Sequence, residues 1–184
     1  MKNIAKGPFI LLTSRDVYRN PWISVREDKV IRPGGTEGIF GVVEMKAGSS
    51  VLALTDDNEV FLVREYKYGI EHDSIESISG AIDGSETPLE TAKRELKEEL
   101  GLEASEWIDL GIVNPFTTII NSPNYMFLAR GLTVGENNPD DGEILHTIKM
   151  PFSEVVDMVM NGEITHSASC VLVLKAERYL NQQN

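Results

Sequence analysis

The apolar positions change period along the chain, and each change predicts an element. Phe9 to Leu12, Trp22 to Arg32 and Ile39 to Met45 are short apolar or alternating runs that predict early strands. Pro33-Gly34-Gly35 marks a turn between the last two. Ser50 to Thr55 and Val60 to Tyr66 predict two more strands, joined as a hairpin by Asp56-Asp57-Asn58-Glu59. The period then changes to three and four residues: Leu89, Ala92, Leu96 and Leu100 form one apolar stripe of a helix. Thr87 serves as its N-cap, Pro88 as its first residue and Glu90 as the capping-box partner, and Gly101 ends it. Trp107 to Val113 and Met126 to Leu132 predict strands around a loop from Asn114 to Asn124. Gly135 to Gly142 reads as a polar, acidic loop, and Ile144 to Met150 as a strand. Ser153 is placed to cap a helix over Glu154 to Met160, ended by Asn161-Gly162, and Ser167 to cap a last helix to about Leu180. This order predicts an α+β domain, with a mixed sheet, the first helix on one side and the later helices on the other.

Charge changes the picture at the first helix. At about 100° per residue, Glu95, Glu98 and Glu99 cluster on a face away from the apolar stripe. Like charges at such spacings cost about 0.2–0.5 kcal/mol per pair. A hard divalent cation removes that repulsion and prefers carboxylate and phosphate oxygens. The alternative is a solvated acidic face with Arg94 and Lys97 as counter-charges. The wider spacing bears on that choice. Gly80 is followed after five residues by Glu86, and after seven more by Arg94-Glu95-Leu96-Lys97-Glu98-Glu99-Leu100-Gly101-Leu102. By residue frequencies alone such a match arises about once in ten million starts. This run resembles the signature of the Nudix hydrolases.

The resemblance extends outside that run. Arg64-Glu65-Tyr66-Lys67-Tyr68, Asn20-Pro21-Trp22-Ile23-Ser24-Val25 and Asn161-Gly162-Glu163-Ile164-Thr165 are similar to segments of the ADP-ribose pyrophosphatase branch. The resemblance implies an α/β/α sandwich in which N-terminal antiparallel strands, residues 1–45, form a homodimerisation element. Residues 46–184 then form the hydrolase domain. It implies Mg²⁺-dependent (or Mn²⁺-dependent) hydrolysis of the pyrophosphate bond in a nucleoside diphosphate linked to another moiety. ADP-ribose or an ADP-sugar comes first, with other nucleotide sugars such as GDP-sugars next. The implied metal ligands are Glu95 and Glu99, with Glu98 assisting and Ser79 offering its carbonyl. The implied catalytic group is Glu98, Glu143 as general base, and Arg94, which braces Glu86. Asp140 and Asp141 are the alternatives to Glu143. Arg64, Lys67 and Glu76 are substrate-binding candidates, or else strand-end charge pairs. Phe116, Tyr125 and Tyr66 can stack on a base, or else pack the core. The family often leads into its motif with Glu-Leu-Pro-Ala/Gly-Gly; here the residues are Glu76-Ser77-Ile78-Ser79-Gly80. A rival reading is a non-catalytic nucleotide-binding regulatory protein on the same scaffold.

Composition narrows the partners. A net charge of -12 disfavours a nucleic acid polymer and an anionic membrane surface. A nucleotide is compatible, because a metal screens its phosphates locally. With one cysteine, Cys170, the chain forms no internal disulfide, and a cytoplasmic setting is expected. Cys170 reads as a packed thiol, and His146 and His166 as structural. Phe9-Ile10-Leu11-Leu12 is too short for a signal peptide core, and no apolar run has membrane-spanning length.

Overall fold

The structure is a computed structural model that describes residues 4–135 and 146–183. The strands are β1 (Ile4–Lys6), β2 (Phe9–Arg19), β3 (Ile23–Ile31), β4 (Glu37–Met45), β5 (Gly48–Leu54), β6 (Glu59–Lys67), β7 (His72–Glu76), β8 (Ile78–Ala81), β9 (Leu102–Val113), β10 (Ile120–Asn121), β11 (Asn124–Val134) and β12 (His146–Pro151). The helices are α1 (Pro88–Leu100), α2 (Phe152–Asn161) and α3 (Ser167–Asn181). The chain divides into two units, Met1–Lys46 with Asn114–Pro123, and Ala47–Val113 with Asn124–Asn184.

The first unit is a five-stranded sheet in the order β1-β2-β3-β4-β10. Its long neighbours pair antiparallel, while β10 joins β4 in parallel at Ile120↔Val43. Asp28 is buried on β3 and is held by Ser14 Oγ at 2.6 Å, Lys6 Nζ at 3.0 Å and Arg26 Nε at 3.3 Å. A buried carboxylate persists only with such partners.

The second unit is built on β5, whose every residue from Ser49 to Leu54 is buried. Side chains alternate faces along a strand, so a strand apolar at successive positions is covered on both sides. Val51 and Ala53 join Phe127, Ala129, Ala92 and Leu96 beneath α1. Leu52 and Leu54 join Leu62, Met126, Leu128, Leu172 and Val173 beneath α3, with Val155 from α2. Thus α1 lies on one face and the later helices on the other, as the element order predicts.

The sheet path is β12-β6-β5-β11-β9, with β7 on β6 and β8 on β5. β5 and β6 pair only at Ala53↔Phe61 and Leu54↔Val60. Beyond that point β8 pairs with Gly48 to Val51 of β5, and β7 pairs with Val63 to Lys67 of β6. Ser77, between β7 and β8, is fully buried at the junction.

The expected strands are present with shifted ends. β2 runs on to Arg19, β9 starts at Leu102 and β11 spans Asn124–Val134. β1, β7, β8 and β10 are additional; their short, serine-rich or polar sequences carry no alternating run. Two caps differ. α2 begins at Phe152, not after Ser153, because Phe152 N–H donates to Asn58 O at 2.9 Å and Pro151 fixes the entry. α3 has Ser167 as its first residue, with His166 in the cap position and its carbonyl accepting from Cys170 N–H. Residues 136–142 of the expected acidic loop, and Ile144 of the strand after it, lie outside the described residues.

Leu96 is fully buried between α1 and the sheet. Leu96→Ala is expected to lower unfolding free energy by roughly 2–5 kcal/mol, read as a shifted urea midpoint at unchanged slope.

Candidate active site

The site grows from the start of α1. Thr87 Oγ1 accepts from Glu90 N–H at 3.3 Å, and Thr87 N–H donates to Glu90 Oε2 at 2.7 Å, closing the capping box. Ser49 Oγ donates to Pro88 O at 2.9 Å, so the first turn is bonded to the central strand. Gly101 adopts φ 63° and terminates the helix as expected, its N–H donating to Lys97 O at 2.9 Å.

Arg94 organises the acidic residues. Its Nε and Nη2 donate to the two oxygens of Glu86 at 3.0 and 3.2 Å, a bidentate pair. Its Nη1 donates to Glu95 Oε1 at 2.7 Å and to Glu98 Oε2 at 2.8 Å. Nη2 also donates to Ala81 O at 3.2 Å, immediately after Gly80. One guanidinium thus joins three carboxylates and the end of β8. The Glu86 pair, then Glu98 and Glu95, hold the Arg94 guanidinium well above its ordinary value. Arg94, and then Thr91, hold the Glu86 carboxyl below the usual carboxylate range.

Gly80 leaves room for the Glu95 side chain. A Cβ there would lie 1.7 Å from Glu95 Oε1 and 2.1 Å from its carboxyl carbon. The Glu95 carboxylate therefore rests against the backbone of β8, next in sequence to Ser79. Glu99 is partly buried, with its Oε2 out of contact with solvent. Glu95, Glu98, Glu99 and the Ser79 carbonyl are all oxygen donors, the type that a hard divalent cation takes. Among the described residues, no three carboxylate, imidazole or thiolate groups converge as a ready-made metal cage. The positive charge among Glu86, Glu95 and Glu98 is Arg94 itself. Arg94 also lines a cleft of about 380 Å³ with Lys93, Lys97, Glu103 and Trp107, in which Lys97 Nζ pairs with Glu103 at 3.0 Å.

The remaining candidates divide. Lys67 and Glu76 come together, with Nζ 3.7 Å from Glu76 Oε2, and Lys67 also bonds Glu65. Arg64 is exposed on β6, in register with Ile75 and His146. Tyr66 and Phe116 are exposed, whereas Tyr125 packs against the core beneath α1. Glu143, Asp140 and Asp141 lie outside the described residues. Cys170 is half-buried, its thiol donating to Ile164 O at 3.2 Å, and burial pushes it up. Sequence reasoning missed Ser77 and Ser169, buried residues that are bonded to each other. Serine in an irregular stretch carries no periodic signal, and their partnership spans 92 positions.

Known proteins match the chain over most of its length. A family model described as a NUDIX domain matches residues 45–168. A model described as a nucleoside diphosphate sugar hydrolase N-terminal domain matches residues 9–43. An ADP-ribose pyrophosphatase of Mycobacterium tuberculosis is 30% identical over 93% of this chain and 84% of its own length. A methanol dehydrogenase activator of Bacillus methanolicus is 24% identical over 88% of this chain and 89% of its own. A crystal structure of an ADP compounds hydrolase superposes with a TM-score of 0.85 at 22% identity, covering 100% of this chain and 99% of the other. At that identity the superposition speaks for the fold.

Two outcomes are expected. Gly80→Ala should displace the Glu95 carboxylate, visible in a crystal structure of the variant as a changed Glu95 rotamer or a shifted β8. Glu86→Gln should destabilise the protein at neutral pH. The depressed Glu86 carboxyl contributes stability that is present above its ordinary value of 4.5 and lost as pH falls through its lower folded value. The difference in denaturation midpoint between wild type and Glu86→Gln should therefore shrink between pH 6 and about pH 3.

Proposed function

This chain belongs to the Nudix hydrolase family, and from that premise we propose that it hydrolyses the pyrophosphate bond of a nucleoside diphosphate linked to another moiety. ADP-ribose or an ADP-sugar is the first candidate and GDP-sugars the next, with a nucleoside monophosphate released. The observation that carries this reading is the Arg94 hub, which fixes Glu86, Glu95, Glu98 and the carbonyl after Gly80 as one acidic constellation. The relative named ADP-ribose pyrophosphatase supports the choice of substrate class.

Cleaving a phosphoanhydride requires charge neutralisation on the phosphates and an aligned water. Glu95, Glu99, Glu98 and the Ser79 carbonyl would hold a divalent cation, Mg²⁺ first and Mn²⁺ next. Such an ion, when bound, supplies electrophilic stabilisation and an acidified water. Arg94 keeps Glu95 and Glu98 from swinging apart and ties them to the loop. Glu143 is assigned as general base on its place in the sequence. Arg64, Lys67 and Glu76 are assigned to the substrate.

The first unit, residues 1–45 in its main part, is assigned as a dimerisation element. Ile10, Val17, Trp22 and Ile39 are exposed on it, apolar side chains of the kind that homodimers bury. No helix among the described residues is long and apolar enough to cross a membrane; the proposed setting is cytoplasmic. The relative named as an activator favours a second reading, a nucleotide-binding regulatory protein.

Incubation with Mg²⁺ and a panel of ADP-ribose, ADP-sugars, GDP-sugars and dinucleotides should release a nucleoside monophosphate, measured by anion-exchange chromatography. Glu99→Gln should lower kcat on the order of 100-fold or more with the fold intact by circular dichroism. Nucleotide binding by calorimetry without turnover on any compound would favour the regulatory reading.

A further inference from the structure

Glu76 and His166 lie on different elements and meet beneath the sheet edge. β7 ends at Glu76, Ser77 follows, and β8 then carries Ser79 and Gly80. The Glu76 side chain is 10% exposed, and its Oε2 stands 3.4 Å from His166 Nδ1 and 3.7 Å from Lys67 Nζ. His166 Nδ1 is also 2.8 Å from Ser169 Oγ. Ser169 Oγ accepts from Ser77 N–H at 2.9 Å and lies 3.1 Å from Ser77 Oγ. The first turn of α3 is thus bonded to the residue that joins β7 to β8.

We propose that His166 is a positioning residue for Glu76: as a neutral ring it leaves the carboxylate free to accept from a hydroxyl or amino group of the nucleoside diphosphate derivative, and on protonation it draws that carboxylate into an ion pair. This rests on the reading of Glu76 as a substrate contact.

The physical case is one of competing donors. Burial pushes the His166 imidazole below its ordinary value; Glu76 opposes that shift and Lys67 reinforces it. At neutral pH the ring is therefore uncharged, with one nitrogen donating and the other accepting. Nδ1 can then accept the Ser169 hydroxyl proton, and Lys67 remains beside Glu76. A protonated ring must donate from Nδ1. Its two acceptors within reach are Ser169 Oγ and the negative oxygen of Glu76, and charge-assisted bonds are roughly twice as strong as neutral ones. The charged groups facing the ring are Glu76 from β7 and Lys67 from β6, with Glu65 of β6 drawing on Lys67. The first turn of α3 adds no acidic residue, and its Cys170 thiol stays protonated.

The consequence is an affinity that declines on the acid side of neutrality through a group outside the acidic cluster. KM for the preferred derivative, measured at saturating Mg²⁺, should rise several-fold in the wild type as pH falls below the ordinary imidazole value of 6.5. His166→Asn should flatten that limb of KM; an unchanged acid limb would overturn the proposal. A second readout needs neither turnover nor a folded His166 variant. The His166 ring is titrated by NMR in the wild type and in Glu76→Gln, without ligand. Its midpoint should fall in Glu76→Gln, because the carboxylate that favours the charged ring is gone. An identical midpoint would overturn the coupling. A shifted midpoint in a protein inactive on the whole panel would refute the substrate reading of Glu76 and leave the coupling standing.

Discussion

One guanidinium sets the terms for the acidic cluster. Glu86, Glu95 and Glu98 converge on Arg94, and without that charge their mutual repulsion would splay the start of α1 from the loop before it. Arginine suits the task for geometric reasons. Its Nε and Nη2 span both Glu86 oxygens, Nη2 also reaches the Ala81 carbonyl, and Nη1 reaches Glu95 and Glu98, whereas lysine offers a point charge. The spacing in the motif follows. Glu86 sits before the helix, 8 positions ahead of Arg94, and Glu98 lies 4 residues beyond it on the same face.

The hub acts on something rigid. β5 is buried on both faces, so its odd and even positions serve different layers: Val51 and Ala53 face α1, Leu52 and Leu54 face α3. Ser49 extends the first set by bonding Pro88 at the start of α1. A shift of β5 would therefore move the acidic helix and the C-terminal helices together. Gly80 belongs to the strand paired beside it, at Ser49↔Gly80, and its lack of a Cβ lets Glu95 close against that strand. Close packing transmits such displacements rather than absorbing them.

How much of this was legible in the sequence depends on the range of each signal. The α1 stripe, its capping box and Gly101 are local, and Leu89, Ala92 and Leu96 pack as their period requires. The bracing of Arg94 on Glu86 was also readable, because both residues lie within one motif. Strands β7 and β8 were not. Each is four or five residues long, with serines at Ser74 and Ser79, and each exists because β5 and β6 part after two paired positions. That parting is a property of the sheet, invisible to a window of residues. The cap expected at α2 failed for a similar reason: the distant Asn58 carbonyl accepts from the N–H of its first residue.

The same distinction bears on how a Nudix scaffold divides its labour. The residues from Gly80 to Leu102 are held by the Arg94 contacts within that run and by packing on β5, β9 and β11. Glu76 lies just outside it and answers to α3 through His166 and to β6 through Lys67. Ser77 and Ser169 fasten that outside region with two bonds in a fully buried setting, where leaving either group unsatisfied would cost about 1–3 kcal/mol. A substitution in α3 can thus alter the strand entering the loop without touching any carboxylate of the acidic cluster.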